Sequence, residues 1–356
     1  MKEFSNEIPE RTIGVDVGDR RSQVCMIDRG GEVILETSVA TEREAVQKFF
    51  SQLAASRVVL EVGTHSPWMD REISQLGHEV VVANARKVKA ISESQTKSDR
   101  FDAEMLARLG RVDVRLLSPI EHRGVQVQAD RALLRARDAL VRCRSQLVTS
   151  VRGQVKSFGH RLKSCSVEAF ARKVSGQIPD ELLAALDPLV EQIVTLSEAI
   201  KRYDRLIDRA ARDRYPQTAR LQQVSGVGPL TALAFVATLE DPARFTKSRD
   251  VGPFVGLVPR RHQSGGRDPR LGITKAGDQY LRRLLVQAGH YILGPFGPDC
   301  ELRRFGLRII DKEGTAPKRR AVVAVARKLA VLLHRLWVDG ADYDPWYQSG
   351  RNKEAA

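Results

Sequence analysis

Cysteine is scarce in this chain of 356 residues: Cys25, Cys143, Cys165 and Cys300 stand alone, with no Cys-x-x-Cys pair and no Cys/His cluster. That spacing argues against a zinc site and a disulfide framework and leaves ordinary reduced thiols. Long apolar runs are missing as well. No stretch approaches the roughly 20 residues that span a bilayer, and the start Met1-Lys2-Glu3-Phe4-Ser5-Asn6-Glu7 is too polar for a secretory signal. The expected site of action is therefore the cytoplasm, with no membrane partner. Acids are in deficit, with Asp+Glu 44 against Lys+Arg 58 and a net charge of +14. A basic excess of that size points to a polyanionic partner, of which nucleic acid is the commonest. What is present, 42% hydrophobic residues over this length, suffices for two or more domains, each with its own core.

The first third reads as a mixed α/β pattern. Thr12-Ile13-Gly14-Val15-Asp16-Val17-Gly18-Asp19 alternates as a strand, with Asp16 inside it. Ser22–Ile27 and Glu32–Leu35 form a second and third strand across Asp28-Arg29-Gly30-Gly31, whose glycines suit a hairpin turn. Glu42–Leu53 has helical spacing, Val58–Gly63 is a short buried strand ending near Glu61, Trp68–Leu76 is helical and Glu79–Ala83 is a fifth strand. The run Lys97-Ser98-Asp99-Arg100-Phe101-Asp102-Ala103 then opens a helix, with Ser98 as its expected N-cap. Asp99 and Asp102, three apart, project from one face of its first turn. Acids there also suit the helix dipole, which is the simplest account of the pair taken alone. The order β-β-β-α-β-α-β-α is that of a ribonuclease H-like fold, and it brings Asp16 and Glu61 onto adjacent strands with the Asp99/Asp102 helix nearby. Four carboxylates so placed repel unless divalent metal neutralises them, and an oxygen-only set suits Mg²⁺ or Mn²⁺. A phosphate loop of the actin and sugar-kinase type also begins with an Asp-x-Gly strand end, but its second phosphate loop is not evident.

Beyond Pro119 the chain becomes helical and rich in arginine. Leu133, Leu140, Leu147, Val151, Val155, Phe158 and Leu162 fall on three-and-four spacing among Arg131, Arg135, Arg137, Arg142 and Arg144. A second helix is expected to start at Asp187-Pro188, with Leu189, Ile193, Leu196, Ile200, Tyr203, Ile207 and Ala210 forming a coiled-coil seam of about three heptads. The seam can pair inside one chain or between chains. Val224-Ser225-Gly226-Val227-Gly228-Pro229 then reads as the turn of a helix-hairpin-helix, whose free N–H groups hold phosphate, or as a plain helix–helix turn. Farther on, Ser264-Gly265-Gly266 lies in a loop with Arg260, Arg261, Arg267, Arg270 and Lys275. Such a serine has the backbone access and fixed positive charge that a phosphoryl-transfer nucleophile needs, though Ser-Gly-Gly is also a common flexible loop. Lys318-Arg319-Arg320 leads a last apolar helix, Ala321–Trp337.

Gly14-Val15-Asp16-Val17, Leu60-Glu61-Val62-Gly63-Thr64-His65-Ser66 and Lys97–Ala103 resemble the DEDD signature of the RuvC-like domain in transposases of the 110/1111 class of bacterial insertion sequences. The stretch Gly252–Leu285 resembles the C-terminal transposase domain of the same class. Relatives commonly carry two serines before the glycines, whereas Gln263 takes the first place here. The resemblance implies a fold of class α/β plus α: a RuvC-like, ribonuclease H-like mixed sheet over residues 11–118, an arginine-rich and coiled-coil spacer over 119–215, a mainly helical serine domain over 216–340 and a tail. It implies a catalytic set of Asp16, Glu61, Asp99, Asp102 and Ser264, with the four acids holding Mg²⁺ or Mn²⁺. Gly226, Gly228, Arg260, Arg261, Arg267, Arg270 and Lys275 would contact nucleic acid. The implied partners are donor and target DNA, a structured non-coding bridge RNA and further copies of the chain, as dimer or tetramer, on the bacterial nucleoid. Two other readings share parts of this pattern: a metal-dependent nuclease or junction resolvase using the acids alone, and a non-enzymatic nucleic-acid scaffold.

Overall fold

Alternation in the first strand sorts its side chains onto two faces, and both faces are covered. β1 (Arg11–Asp16), β2 (Arg21–Asp28) and β3 (Val33–Ala40) run antiparallel, while β4 (Arg57–Glu61) and β5 (Glu79–Ala83) lie parallel to β1 on its other side, giving the order β3-β2-β1-β4-β5. Ile13, Val15, Val24, Met26, Val58 and Leu60 face α1 (Arg43–Phe50) and α2 (Ser66–Gln75), meeting Val46, Phe50, Met69 and Ile73. The opposite face packs on α3 (Asp99–Val112): Val59, Val81 and Ala83 meet Leu106, and Cys25 and Ile27 meet Ala103 and Ala107. The expected turn at Asp28–Gly31 is present, with the Asp28 carboxylate accepting from the N–H groups of Gly31 and Glu32. β3 runs to Ala40, well past the expected Leu35, and Asp16 is the last residue of β1 rather than an interior one.

This description, from a computed structural model, covers residues 4, 7–84, 99–263, 271–311 and 316–347, the side chain of Asp99 excepted. The sheet and its three helices belong to one unit, Met1–Gly124, and all that follows belongs to a second, Val125–Ala356. Among the described residues no helix is long and apolar enough to cross a membrane.

The second unit begins with two long helices, α4 (Val125–Ser157) and α6 (Asp180–Arg214), joined through the short α5 (Phe170–Val174). They pair antiparallel within the chain. Three polar rungs show it: Asp130 with Arg214 and Tyr215, Arg137 with Asp204 at 2.5 Å, and Arg144 with Ser197 at 3.2 Å. On α4 the rungs fall one heptad apart. The seam of α4 is therefore Asp130, Leu134, Arg137, Val141, Arg144, Val148, Val151 and Val155. It departs from the expected face, since Leu134 and Val148 are buried where Leu133 and Leu147 were expected, and Phe158 is 53% exposed. Charged residues occupy three of these heptad positions, so a search for apolar spacing finds the neighbouring leucines instead.

The α6 seam is as expected at Ile193, Ile200, Ile207 and Ala210, all buried, but α6 starts seven residues earlier than Asp187. Asp180 and Glu181 occupy its first turn and Pro188 lies inside it. That proline leaves the carbonyl of Ala184 without its usual helical donor. Below the hairpin, α7 (Thr218–Leu221), α8 (Pro229–Leu239), α9 (Val251–Phe254), α10 (Gln279–Leu293), α11 (Glu301–Ile310) and α12 (Pro317–Asp339) share one apolar core. Every residue of α8 from Thr231 to Leu239 is buried, so it forms the centre of this core.

Candidate active site

Asp16 and Glu61 follow directly on Val15 and Leu60, which are in-register partners on the parallel strands β1 and β4. Both are half-buried. Period-2 alternation places Asp16 on the face of Thr12 and Gly14, and Glu61 on the face of Arg57 and Val59. That is the face covered by α3, since Val59 packs against Leu106.

Gly14 explains how closely α3 approaches. A β-carbon added there would stand 1.9 Å from the carbonyl oxygen of Ala103 and 2.6 Å from the nitrogen of Ala107, so only glycine lets the helix backbone rest on β1. The small side chains of Ala103 and Ala107, both buried, keep that approach open. Asp102 precedes Ala103, so the contact that seats the helix also fixes Asp102, half-buried, beside the strand end that carries Asp16. At the far end of α3 the buried guanidinium of Arg57 donates to the Gly110 carbonyl at 3.0 Å and to Glu79 at 2.6 Å, tying helix, β4 and β5 together. Arg108 donates to the Gly31 carbonyl at 3.0 Å and Arg111 to that of Arg29 at 2.9 Å, which ties the same helix to the hairpin turn. Arg100 pairs with Glu36 of β3.

Asp16, Glu61 and Asp102 thus come from two neighbouring strand ends and the helix packed across them. The donors are carboxylate oxygens only, which fits a hard divalent cation and not zinc or copper. Among the described residues no three acidic, histidine or cysteine side chains stand close enough to hold a metal; the side chain of Asp99 and the expected cap Ser98 lie outside them.

His65 went without a role in the sequence. It precedes α2, four residues after Glu61; its Nδ1 accepts the indole N–H of Trp68 at 3.2 Å, and its Nε2 stands 3.5 Å from Asp19. The acceptor role at Nδ1 puts the ring proton on Nε2, facing the loop that leaves β1. Its signal in the sequence is the His-x-x-Trp spacing across the first turn of a helix.

In the second unit, Val258–Arg260 and Gly272–Lys275 form two arms. The arms are joined by the Pro259/Ile273 bridge and by hydrogen bonds from Arg260 N–H to Gly272, Thr274 N–H to Val258 and Lys275 N–H to Gly256. Lys275 takes a left-handed conformation, φ +56°, a costly one for a residue with a side chain. Arg260, Arg261, His262 and Lys275 are exposed on these arms. Ser264, Arg267 and Arg270 belong to the segment between the arms and lie outside the described residues. The Gly226-Val227-Gly228 turn stands between α7 and α8, with Pro229 as the first residue of α8. The N–H groups of Gly226, Gly228, Leu230 and Thr231 carry no hydrogen bond among the described residues.

Two family models match in the order of these two sites: residues 13–159 match the DEDD transposases of IS110 type, and residues 218–295 match the family described as "Transposase IS116/IS110/IS902 family". The transposase of insertion sequence element IS1111A from Coxiella burnetii is 30% identical over 336 residues, covering 92% of this chain and 89% of that protein. A probable family 20 transposase from Pseudomonas aeruginosa is 29% identical over 343 residues, 94% and 98% of the two chains. The transposase of IS1328 from Yersinia enterocolitica is 31% identical over 281 residues, 77% and 81%. Similarity that runs through both sites and nearly end to end leaves one assignment: the chain belongs to the IS110/IS1111 class of insertion-sequence transposases.

Proposed function

We propose that this transposase cuts and rejoins DNA through Ser264, with the acidic site acting on the same phosphate, under the direction of a structured non-coding RNA. The observation that carries the acidic half is the register of Asp16 and Glu61 with α3 seated over them by Gly14. The unit around them is a five-stranded mixed sheet, β3-β2-β1-β4-β5, which is compatible with a RuvC-like, ribonuclease H-like fold. Asp16, Glu61, Asp99 and Asp102 would hold Mg²⁺ or Mn²⁺, which when bound supplies charge neutralisation and Lewis-acid activation at a phosphodiester.

The residues themselves do the following. The Ser264 Oγ loses its proton and attacks phosphorus, forming a serine–phosphate ester; the P–O bond to the departing deoxyribose breaks, and that oxygen takes up a proton. Arg260 and Arg261, with Arg267 and Arg270, hold the charge that grows on the phosphoryl oxygens. In the reverse sense, a deoxyribose hydroxyl of the partner strand displaces Ser264 and exchange is complete. Residues 11–118 supply the acids, 216–340 the serine, and 119–215 the spacer. Acids and serine lie far apart in sequence, so sites composed from two protomers of a dimer or tetramer follow naturally. The net charge of +14 suits both DNA and RNA.

The test is a labelled DNA substrate incubated with the chain and RNA recovered with it. A denaturation-resistant protein–DNA adduct should form, vanish in Ser264→Ala and Asp16→Asn, and survive His262→Ala. Full recombination by Ser264→Ala would instead assign the chemistry to metal-dependent hydrolysis of the junction-resolvase kind.

A further inference from the structure

Three adjoining hollows line one side of the second unit. The largest, an open cleft of about 540 Å³, is walled by the Gln222–Thr231 turn and by Leu284, Gln287 and Tyr291 of α10. A second, about 360 Å³, shares Leu230, Leu284 and Gln287 with it and continues to Arg137, Arg142 and Arg283. A third, about 320 Å³, adjoins the second at Tyr280 and Arg283 and reaches Arg135. Shared walls make them one groove, running from the Gly226–Pro229 turn along α10 to α4.

Its chemistry changes along its length. At the turn end, the N–H groups of Gly226, Gly228, Leu230 and Thr231 are unengaged at the start of an eleven-residue helix, an electropositive place for a phosphate. Tyr291 stands beside them, 47% exposed, its ring against Gly226, where an added β-carbon would come within 3.1 Å of the ring. At the other end, Arg135 and Arg142 are two-thirds exposed, and with Arg283 they outnumber the groove's acids, Asp138 and Asp278, while Arg137 is held by Asp204 of α6. Asp138 is shared by Arg142 and Arg283, so it orients both guanidinium groups and leaves one positive charge in excess.

We propose that this groove binds a single strand of DNA, with a phosphate on the Gly226–Thr231 turn, an unpaired base stacked on Tyr291 and the following phosphates on Arg142 and Arg135. The aromatic wall decides for a single strand. A paired base offers no open face to an exposed ring, whereas an unstacked one does, and alternating rings and cations are how proteins follow single strands without reading sequence. The inference rests on the transposase reading, in which strands separate during exchange, and it adds a place for one of them.

Fluorescence anisotropy with labelled oligothymidylate and the full chain tests it. Tyr291→Ala should weaken binding about tenfold while Tyr291→Phe retains it, and Arg142→Gln should reduce the slope of log Kd on log salt by about 0.7. Oligonucleotide carrying 5-iodouracil should photo-crosslink to Tyr291. Melting curves that match wild type confirm that these exposed positions leave the fold intact. Unchanged affinity in Tyr291→Ala together with an unchanged salt slope in Arg142→Gln would overturn the proposal. So would tighter, equally Tyr291-dependent binding of the matching duplex or of oligouridylate. Asp16→Asn should bind the oligonucleotide like wild type; strand exchange that persists in it would refute the acidic-site reading and leave the groove standing.

Discussion

A methyl group on Gly14 has nowhere to go, because the backbone of α3 already occupies its place. Gly14→Ala should therefore push α3 off β1, lowering stability by about 2–4 kcal/mol in chemical denaturation, and should depress strand exchange by displacing Asp102 from Asp16. Asp16→Asn makes the contrasting case: it removes a charge and keeps volume, so recombination should vanish while the unfolding midpoint stays within about 0.5 kcal/mol of wild type or rises. The placement of Asp16 and Glu61 at strand ends and of Asp102 in the first turn of a helix was legible in the sequence, because acids that end apolar runs or begin helices stand out against their surroundings. The role of Gly14 was not, because it depends on a helix almost ninety residues away and on the Ala103 and Ala107 backbone, which no local pattern reveals. Tyr291 and Arg142 escaped for a related reason: the groove appears only when α10, α4 and the Gly226 turn are brought together, although Tyr280, Arg283, Leu284, Gln287 and Tyr291 already form one helical stripe.

Among the elements, the α4–α6 hairpin is held by charge as well as by apolar packing. Burial alone would push the Asp130 carboxyl up, but hydrogen bonds from Arg214, Tyr215 and Gln126 outweigh it and hold the group below the usual carboxylate range. Asp278 behaves alike, with burial offset by the Leu281 N–H that it caps and by Arg131. A carboxylate depressed in the folded state stabilises above its unfolded pKa and loses that contribution as pH falls through the folded value. The second unit should accordingly lose stability below about pH 4, and Asp130→Asn should flatten that dependence in urea titrations followed by circular dichroism. Asp130→Ala should cost about 2–3 kcal/mol at neutral pH, because it strands the buried Tyr215 hydroxyl and a partly buried guanidinium. Replacing Leu196 and Ile200 by Asp should lower the melting temperature and leave the mass by light scattering unchanged, since Ile200 is 4% exposed and the seam is covered by α4 of the same chain. The α6 stripe was readable because its residues are aliphatic. Its partner face was not, because Asp130, Arg137 and Arg144 mimic a solvated surface until their partners on α6 are known.

At the scale of the whole molecule, the acids fall in the first unit and the serine-bearing segment in the second, which is why composition announced nucleic acid but could not order the chemistry. Bound Mg²⁺ should raise the melting temperature of the wild-type chain through mass action on the folded acidic site, and Asp16→Asn or Asp102→Asn should remove that shift in calorimetry. An equal shift in both variants would place the ion elsewhere. The fold class was open to a reader of the sequence since strand and helix periodicities alternate cleanly through the first unit and turn wholly helical after Pro119. Domain limits were less so: residues 119–124 belong with the sheet through the Val82–Ile120 bridge, a pairing that no run of apolar residues announces.

The rungs of the hairpin have a consequence for how such a chain can change length. α4 contains 33 residues, an arm of about 50 Å, and its polar rungs recur once per heptad, meeting Ser197 and Asp204 seven residues apart on α6 and Arg214 ten residues beyond Asp204. An insertion of three residues in α4 alone would set Arg137 and Arg144 against aliphatic side chains of α6, whereas seven residues added to each helix would restore every rung. The arm can therefore grow or shrink only in paired, whole-heptad steps, which makes its length a quantised trait that divergence alters in jumps, while loops beyond its tip are free to drift.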